Sequence, residues 1–201
     1  MQQDVLELYP GSGRTHALQG LYLGQVPEQS RSAQGPFIYS NFISSLDGRI
    51  AVPGPERNSH QVPDAIANPR DWRLFQELAA QADLLITSAR YFRQAAEQEV
   101  QAELPVGSGP EFADLRAWRV RHGLSPQPDI AVFSASLDIP VESIRQYEDR
   151  ILYLITGAMA DTEKLRQLLD ASHAQAVTCG HNGHVDASML RATLAELGYR
   201  R

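Results

Sequence analysis

Four short apolar runs in the second half of the chain constrain its fold most. They are Asp83-Leu-Leu-Ile-Thr87, Asp129-Ile-Ala-Val-Phe133, Ile151-Leu-Tyr-Leu-Ile155 and Ala176-Val-Thr-Cys179. Each is too short for a helix, and none alternates strictly between apolar and polar, the pattern of strands buried on both faces. Helical patterns separate them. Ser88 caps a segment whose face carries Tyr91, Phe92 and Ala95, and Asp161 caps one with Leu165, Leu168 and Leu169 inward. Asp186 caps the last, where Leu190, Leu194 and Leu197 face in and Gly198 stands as the C-cap. Such alternation predicts an α/β fold with a mostly parallel central sheet covered by helices on both faces. No Gly-x-Gly-x-x-Gly fingerprint, Walker loop, His-Glu metal spacing or Gly-x-Ser-x-Gly elbow occurs, and no metal site is expected. On pattern alone, a doubly wound nucleotide-binding fold is the natural expectation.

Upstream, Phe37-Ile-Tyr-Ser-Asn-Phe-Ile43 is apolar at nearly every position and follows Gly35-Pro36, so it reads as a central strand buried on both faces. Its character changes at Ser44-Ser45-Leu46-Asp47-Gly48. Polar groups at the carboxyl end of a central strand lie where ligands bind in open α/β sheets, although a plain turn would use the same residues. The Pro-rich stretch 52–63 follows directly and is placed to cover whatever binds there; it holds Ser59 and His60, the latter reading as a solvated loop histidine. Asn68-Pro69 opens a helix with Trp72, Phe75, Leu78, Ala79 and Ala82 on one face. The Asp83–Thr87 strand runs straight into a helix N-terminus, a ready anion site. Ser134 and Ser136 follow the next strand, Thr156-Gly157 and Gly180 the two after it.

The remainder is less informative. Residues 1–35 read as an N-terminal arm packing on the core, and 36–201 as one domain without repeat or linker. The helix around Phe112, Leu115 and Trp118 carries Arg116, Arg119 and Arg121, which read as a solvated face. A formal charge of −6 argues against a nucleic-acid or anionic-membrane partner. Cys179 is the single cysteine, so an intrachain disulfide is impossible, which fits a reducing compartment. With no basic-then-apolar leader and no apolar run of spanning length, a cytoplasmic protein is expected.

Ser45-Leu46-Asp47-Gly48-Arg49-Ile50-Ala51, preceded by Asn41, resembles the signature of the pyrimidine reductase family of riboflavin biosynthesis, the reductase half of the bifunctional deaminase-reductase. Further along, Ala82-Asp83 through Tyr91 resembles the family's Ala-Asp-x-x-Leu-x-Gly-x-x-Thr, with Ser88 and Tyr91 at the Gly and Thr positions. The segment Val132–Pro140 resembles its Val-Val-Ser-x-Ser-Leu-Asp-Leu-Pro. The resemblance implies a dihydrofolate reductase-like fold and an NADPH-dependent reductase that turns the ribosyl group of a ribosylamino-pyrimidinedione phosphate into ribityl.

On this reading Asp47 is the catalytic candidate, with Asn41, Ser44, Ser45 and Ser59 on the small-molecule substrate. Ser88, Ala89, Tyr91, Ser134, Ser136, Thr156, Gly157 and Gly180 form the NADPH side. Family members continue past the point matching Arg201 into a strand, a Glu-Gly-Gly-Pro loop and a closing hairpin, so the resemblance spans 36–201 and implies a sheet incomplete at the C-terminal end. An open sheet edge leads to the expectation of a homodimer. A differently specific enzyme, or a non-catalytic relative lacking the phosphate loop, is the alternative.

Overall fold

The computed structural model describes residues 4–11, 13–25, 35–54, 60–63, 65–97 and 103–201. The chain begins with a small antiparallel ribbon, β1 (Asp4–Leu6) on β2 (Thr15–Ala17). A second pair, β3 (Val52–Pro53) and β4 (His60–Gln61), brackets the Pro-rich stretch. Helix α1 (Pro69–Ala80) starts where expected: Asn68 Oδ1 accepts from the amides of Arg70 and Asp71, each at 3.0 Å, and Pro69 needs no partner there.

The rest of the chain alternates as the sequence predicts. In order come β5 (Leu84–Ser88), α2 (Ala89–Ala96), a 3-10 turn at Pro110–Phe112, α3 (Ala113–Arg121), β6 (Asp129–Phe133), α4 (Val141–Arg145), β7 (Leu152–Thr156), α5 (Thr162–Ala171), β8 (Gln175–Thr178) and α6 (Ala187–Glu196). The four strands form one parallel sheet in the order β5-β6-β7-β8, with Leu84 opposite Asp129, Ile130 opposite Leu152 and Tyr153 opposite Gln175.

Side-chain alternation on the strands divides the core in two. Ile130, Val132, Leu152 and Leu154 point to the face covered by α2, α4 and α5 through Phe92, Ile144 and Leu168. Leu84, Ala131, Tyr153 and Ile155 point to the opposite face, where α6 lays Leu194 and, partly buried, Leu190. This is the expected α/β architecture with helices on both faces. Helix α6 then carries the chain across that second face from β8 to the far edge of β5. There Asp83 N–H and Leu84 N–H donate to Arg201 O at 3.0 and 3.2 Å. Gly198, with φ of +93°, makes the left-handed turn that permits the return.

Two expectations are corrected. Residues 37–43 are not a central strand. Among the described residues their one backbone bond is Phe37 N–H to Arg200 O at 2.9 Å, and Ile38 and Phe42 stand 47% and 67% exposed. The segment is held by side chains instead, with Tyr39 Oη donating to Leu78 O at 2.7 Å. An apolar run records an affinity for burial, but a ladder also needs a neighbouring backbone, which β5 does not bring into contact. Two of the three α3 arginines are likewise not on a solvated face, whereas Arg121 is exposed as expected. Arg119 is fully buried and donates to the carbonyls of Ala80 (2.9 Å), Ala82 (2.5 Å) and Ser125 (2.8 Å), while Arg116 donates to Gly107 O and Gly109 O. These cations hold irregular loop backbone where no ladder can.

Helix α1 also buries polar side chains. Glu77, fully buried, accepts from the amides of Gly20 and Tyr22 at 2.5 and 2.8 Å and from Arg73 Nε at 2.8 Å. Those bonds dock residues 18–24 on the core.

Candidate functional site

An apolar pocket of about 520 Å³ lies along the outer edge of β5. Residues 36–42 form one wall, Leu84 to Thr87 another, and α1 and α6 contribute Phe75, Leu78, Leu190 and Leu194. At the carboxyl end of β5 it opens beside Asn41, Thr87 and Tyr91, which are its polar lining there. Helices α2 and α6, entering and leaving this edge, lie on opposite faces of the sheet, as the two core layers show. The strands follow in sequence order from β5 at one edge to β8 at the other, and the space outside the carboxyl ends of parallel strands is where open α/β sheets bind ligands.

The first turn of α2 lies at that end of β5. Ser88 occupies its N-cap position in extended conformation (φ −125°, ψ 160°), but its side chain makes no capping bond, and no acidic residue lies in the first turn. The cap side chain thus adds no acceptor at this end, and no carboxylate in the first turn offsets the helix dipole. Tyr91, one turn further on, meets Tyr147 Oη across 3.4 Å, and desolvation with that hydroxyl contact holds its phenol neutral well above the usual range. Tyr147 Oη in turn accepts from Leu104 N–H at 3.1 Å, fixing Leu104 and Pro105 as the pocket's far rim.

The residues singled out in the sequence do not all converge. Asn41 and Tyr91 line the pocket; Ser88 ends β5 and Ala89 opens α2 next to the lining residue Thr87, but neither is among the lining residues, and Ala89 is buried in the core under α2. Ser44 is exposed. Ser45 and Asp47 form a tight turn. Gly48 N–H donates to Ser45 O and Ser45 N–H to Arg49 O, both at 2.9 Å, and Gly48 takes the φ of +82° this needs. Asp47 accepts from Ser45 Oγ and pairs with Arg49 at 3.2 Å, both ionic side chains more than half exposed. Ser59 lies outside the described residues.

On the opposite half of the sheet the polar residues serve their own loops. Ser134 Oγ, buried, accepts from Leu137 N–H at 2.8 Å; Ser136, exposed, accepts from Asp138 N–H at 3.4 Å. Leu137 holds a left-handed φ of 54° within this loop. Gly157 and Gly180 are required by close backbone approach: a Cβ would fall 2.0 Å from Asn182 O at the first and 2.4 Å from His184 O at the second. Ala158 N–H to Gly180 O (2.9 Å) and Met159 N–H to Asn182 O (3.1 Å) tie the loops after β7 and β8 together. Thr156 is buried there, and its hydroxyl has no hydrogen-bond partner among the described residues. The apolar pocket lies along β5.

Sequence reading missed Thr87, Leu104 and Pro105 as lining residues. Thr87 stands beside the selected Ser88 at a strand end, a usable signal; Leu104 and Pro105 arrive from an irregular loop whose path no periodicity encodes. Among the described residues, no group of three or more His, Cys, Asp or Glu side chains could hold a metal, and no helix is long and apolar enough to cross a membrane.

Compared with models of protein families the chain matches none, and no curated protein sequence matches it. Among solved structures it is similar to a pyrimidine reductase-like protein from Corynebacterium diphtheriae, with a TM-score of 0.58 and 15% identity over 90% of this chain and 67% of that one. The likeness, at this identity, defines the fold. The chain has the α/β fold of that reductase-like protein, as the sequence resemblance implies.

Proposed function

We infer that the chain is a nicotinamide-dependent reductase of the pyrimidine reductase type, acting on a phosphorylated ribosylamino-pyrimidinedione and using NADPH. One observation carries this reading: beside β5 an apolar pocket takes in Asn41, Thr87 and Tyr91 next to the start of α2, whose cap residue Ser88 makes no side-chain capping bond. The residues suit the cofactor's chemistry. The positive end of α2 at Ala89 would attract phosphate, Thr87 and Asn41 would offer hydrogen bonds to an amide or ribose, and the apolar wall would exclude water from the reacting carbon. Bound NADPH supplies hydride.

Asn41, with Ser44, Ser45 and Asp47 following it, makes up the substrate side of this reading; Asp47 is the one carboxylate among them and the candidate for orienting or protonating the sugar. Saturation-transfer NMR with NADPH, NADH and a ribosylamino-pyrimidine phosphate tests the assignment. Saturable transfer from NADPH, and reduction of the pyrimidine substrate followed by loss of NADPH absorbance, are expected. No transfer from either dinucleotide would favour a non-catalytic binding protein on the same fold.

A further inference from the structure

The β1–β2 ribbon is bonded to itself and not to the body of the fold. Asp4 lies opposite Ala17, Val5 opposite His16 and Leu6 opposite Thr15. Glu7 N–H donates to Arg14 O at 2.8 Å, and the Glu7 carboxylate meets His16 Nε2 at 2.9 Å. Among the described residues 4–11 and 13–17, no hydrogen bond or ion pair leaves the ribbon. Attachment begins after it, with Leu18, which is buried, and with Gly20 and Tyr22, whose amides donate to Glu77.

A two-stranded ribbon is marginal by itself, because its faces need a further strand or layer to bury against. Here the apolar side chains lack that cover among the described residues: Leu6 is 54% exposed, Leu8 81% and Tyr9 89%. Val5 and His16, paired with each other, are half-buried on one face. Leu6 therefore lies on the outer face, with Thr15 and Ala17 exposed beside it. An uncovered apolar stripe of this kind marks a contact surface.

The ends of the ribbon carry opposite charges. Asp4 stands at one end, opposite Ala17, and Arg14 at the other, beside the turn; both are exposed, and neither makes an ion pair among the described residues. An acidic partner would be repelled at Asp4 and a basic one at Arg14. A strip with an apolar middle and opposite charges at its ends is instead complementary to its own copy turned through a half-circle. Apolar then meets apolar, and each acid meets a base.

We propose that the β1–β2 ribbon is a dimerisation arm whose partner is a second copy of this chain. The two ribbons pack antiparallel about a two-fold axis. Their Leu6, Leu8 and Tyr9 stripes lie in contact, and Asp4 of each copy faces Arg14 of the other. The surface is separate from the pocket beside β5, so the inference does not depend on the reductase reading.

Sedimentation velocity on the 201-residue protein, from about 1 μM to about 1 mM, tests it across the range of moderate to weak dimers. A concentration-dependent monomer–dimer equilibrium is expected. Leu6→Glu and Leu8→Glu change exposed positions that the single chain does not need for folding. Each would place a charge in the apolar contact and is expected to weaken the dimer at least about tenfold. The reversals Asp4→Arg and Arg14→Asp are each expected to weaken it about threefold or more. Made together they are expected to restore it, which damage to the ribbon would not do. A monomer throughout the range, a dimer indifferent to both glutamates, or a double reversal no tighter than the single ones would overturn the proposal.

Discussion

Arg119 shows how a residue's role is decided by what surrounds it. In the sequence it is one of three cations on a helix; in the fold its guanidinium is fully buried against three carbonyls. Burial pushes its pKa down to about 10, which leaves it charged at neutral pH. Replacing Arg119 by Met keeps the length and leaves those carbonyls without donors. A loss of about 3 kcal/mol in urea-unfolding stability is expected, and a change within about 0.5 kcal/mol would show that water replaces the guanidinium. Asp47 is the reverse case. Its exposed pairing with Arg49 contributes little, so Asp47→Asn is expected to change stability by less than about 0.5 kcal/mol. If its role in the proposed reaction is right, turnover falls about tenfold or more while NADPH affinity holds. Unchanged turnover would remove Asp47 from the chemistry.

Elements were legible where one physical rule decided them. The strands β5 to β8 and the Asn68, Asp161 and Asp186 caps follow from apolar runs and short-range hydrogen bonds, and all stand in the structure within a residue or two. The segment 37–43 shows the limit. Its composition matches a strand, but pairing is a property of two segments, and here the neighbouring position is empty space. Nor does periodicity announce that α1 turns Gln76 and Glu77 inward, because their burial rests on partners 31 and 57 residues away in the chain. The α1–α3 contact has a testable pH dependence. Desolvation raises the Asp114 carboxyl, but the Arg73 guanidinium and the Gln19 amide outweigh it and hold the pKa below the usual range. This contribution is therefore complete above the unfolded value of about 3.9 and is lost as pH falls through the lower folded value. Asp114→Asn is expected to cost about 1 kcal/mol at pH 6, discounted for partial exposure, and much less near pH 2. Urea midpoints at the two pH values check it; an equal deficit at both would mean that charge is not what joins the helices.

At the scale of the whole molecule, the path of the chain brings the site together. Helices α2 and α6 lie on opposite faces, and Asn41 joins Thr87 and Tyr91 in one pocket along β5 although it lies more than forty residues upstream of them. Three of the eight cofactor candidates, Ser88, Ala89 and Tyr91, lie at one strand–helix junction, a local feature of the sequence. Gly157 and Gly180 sit where the loops after β7 and β8 close on each other, which depends on residues 182–184 folding back. The central claim is that a nicotinamide dinucleotide binds at the carboxyl end of β5. Titration of NADPH into isotope-labelled protein, followed by amide NMR shifts, tests it most directly. The account predicts saturable shifts clustered on Asn41, Thr87, Ser88, Ala89 and Tyr91. Shifts centred on Ser134, Thr156 and Gly180, or none at millimolar NADPH, would contradict it.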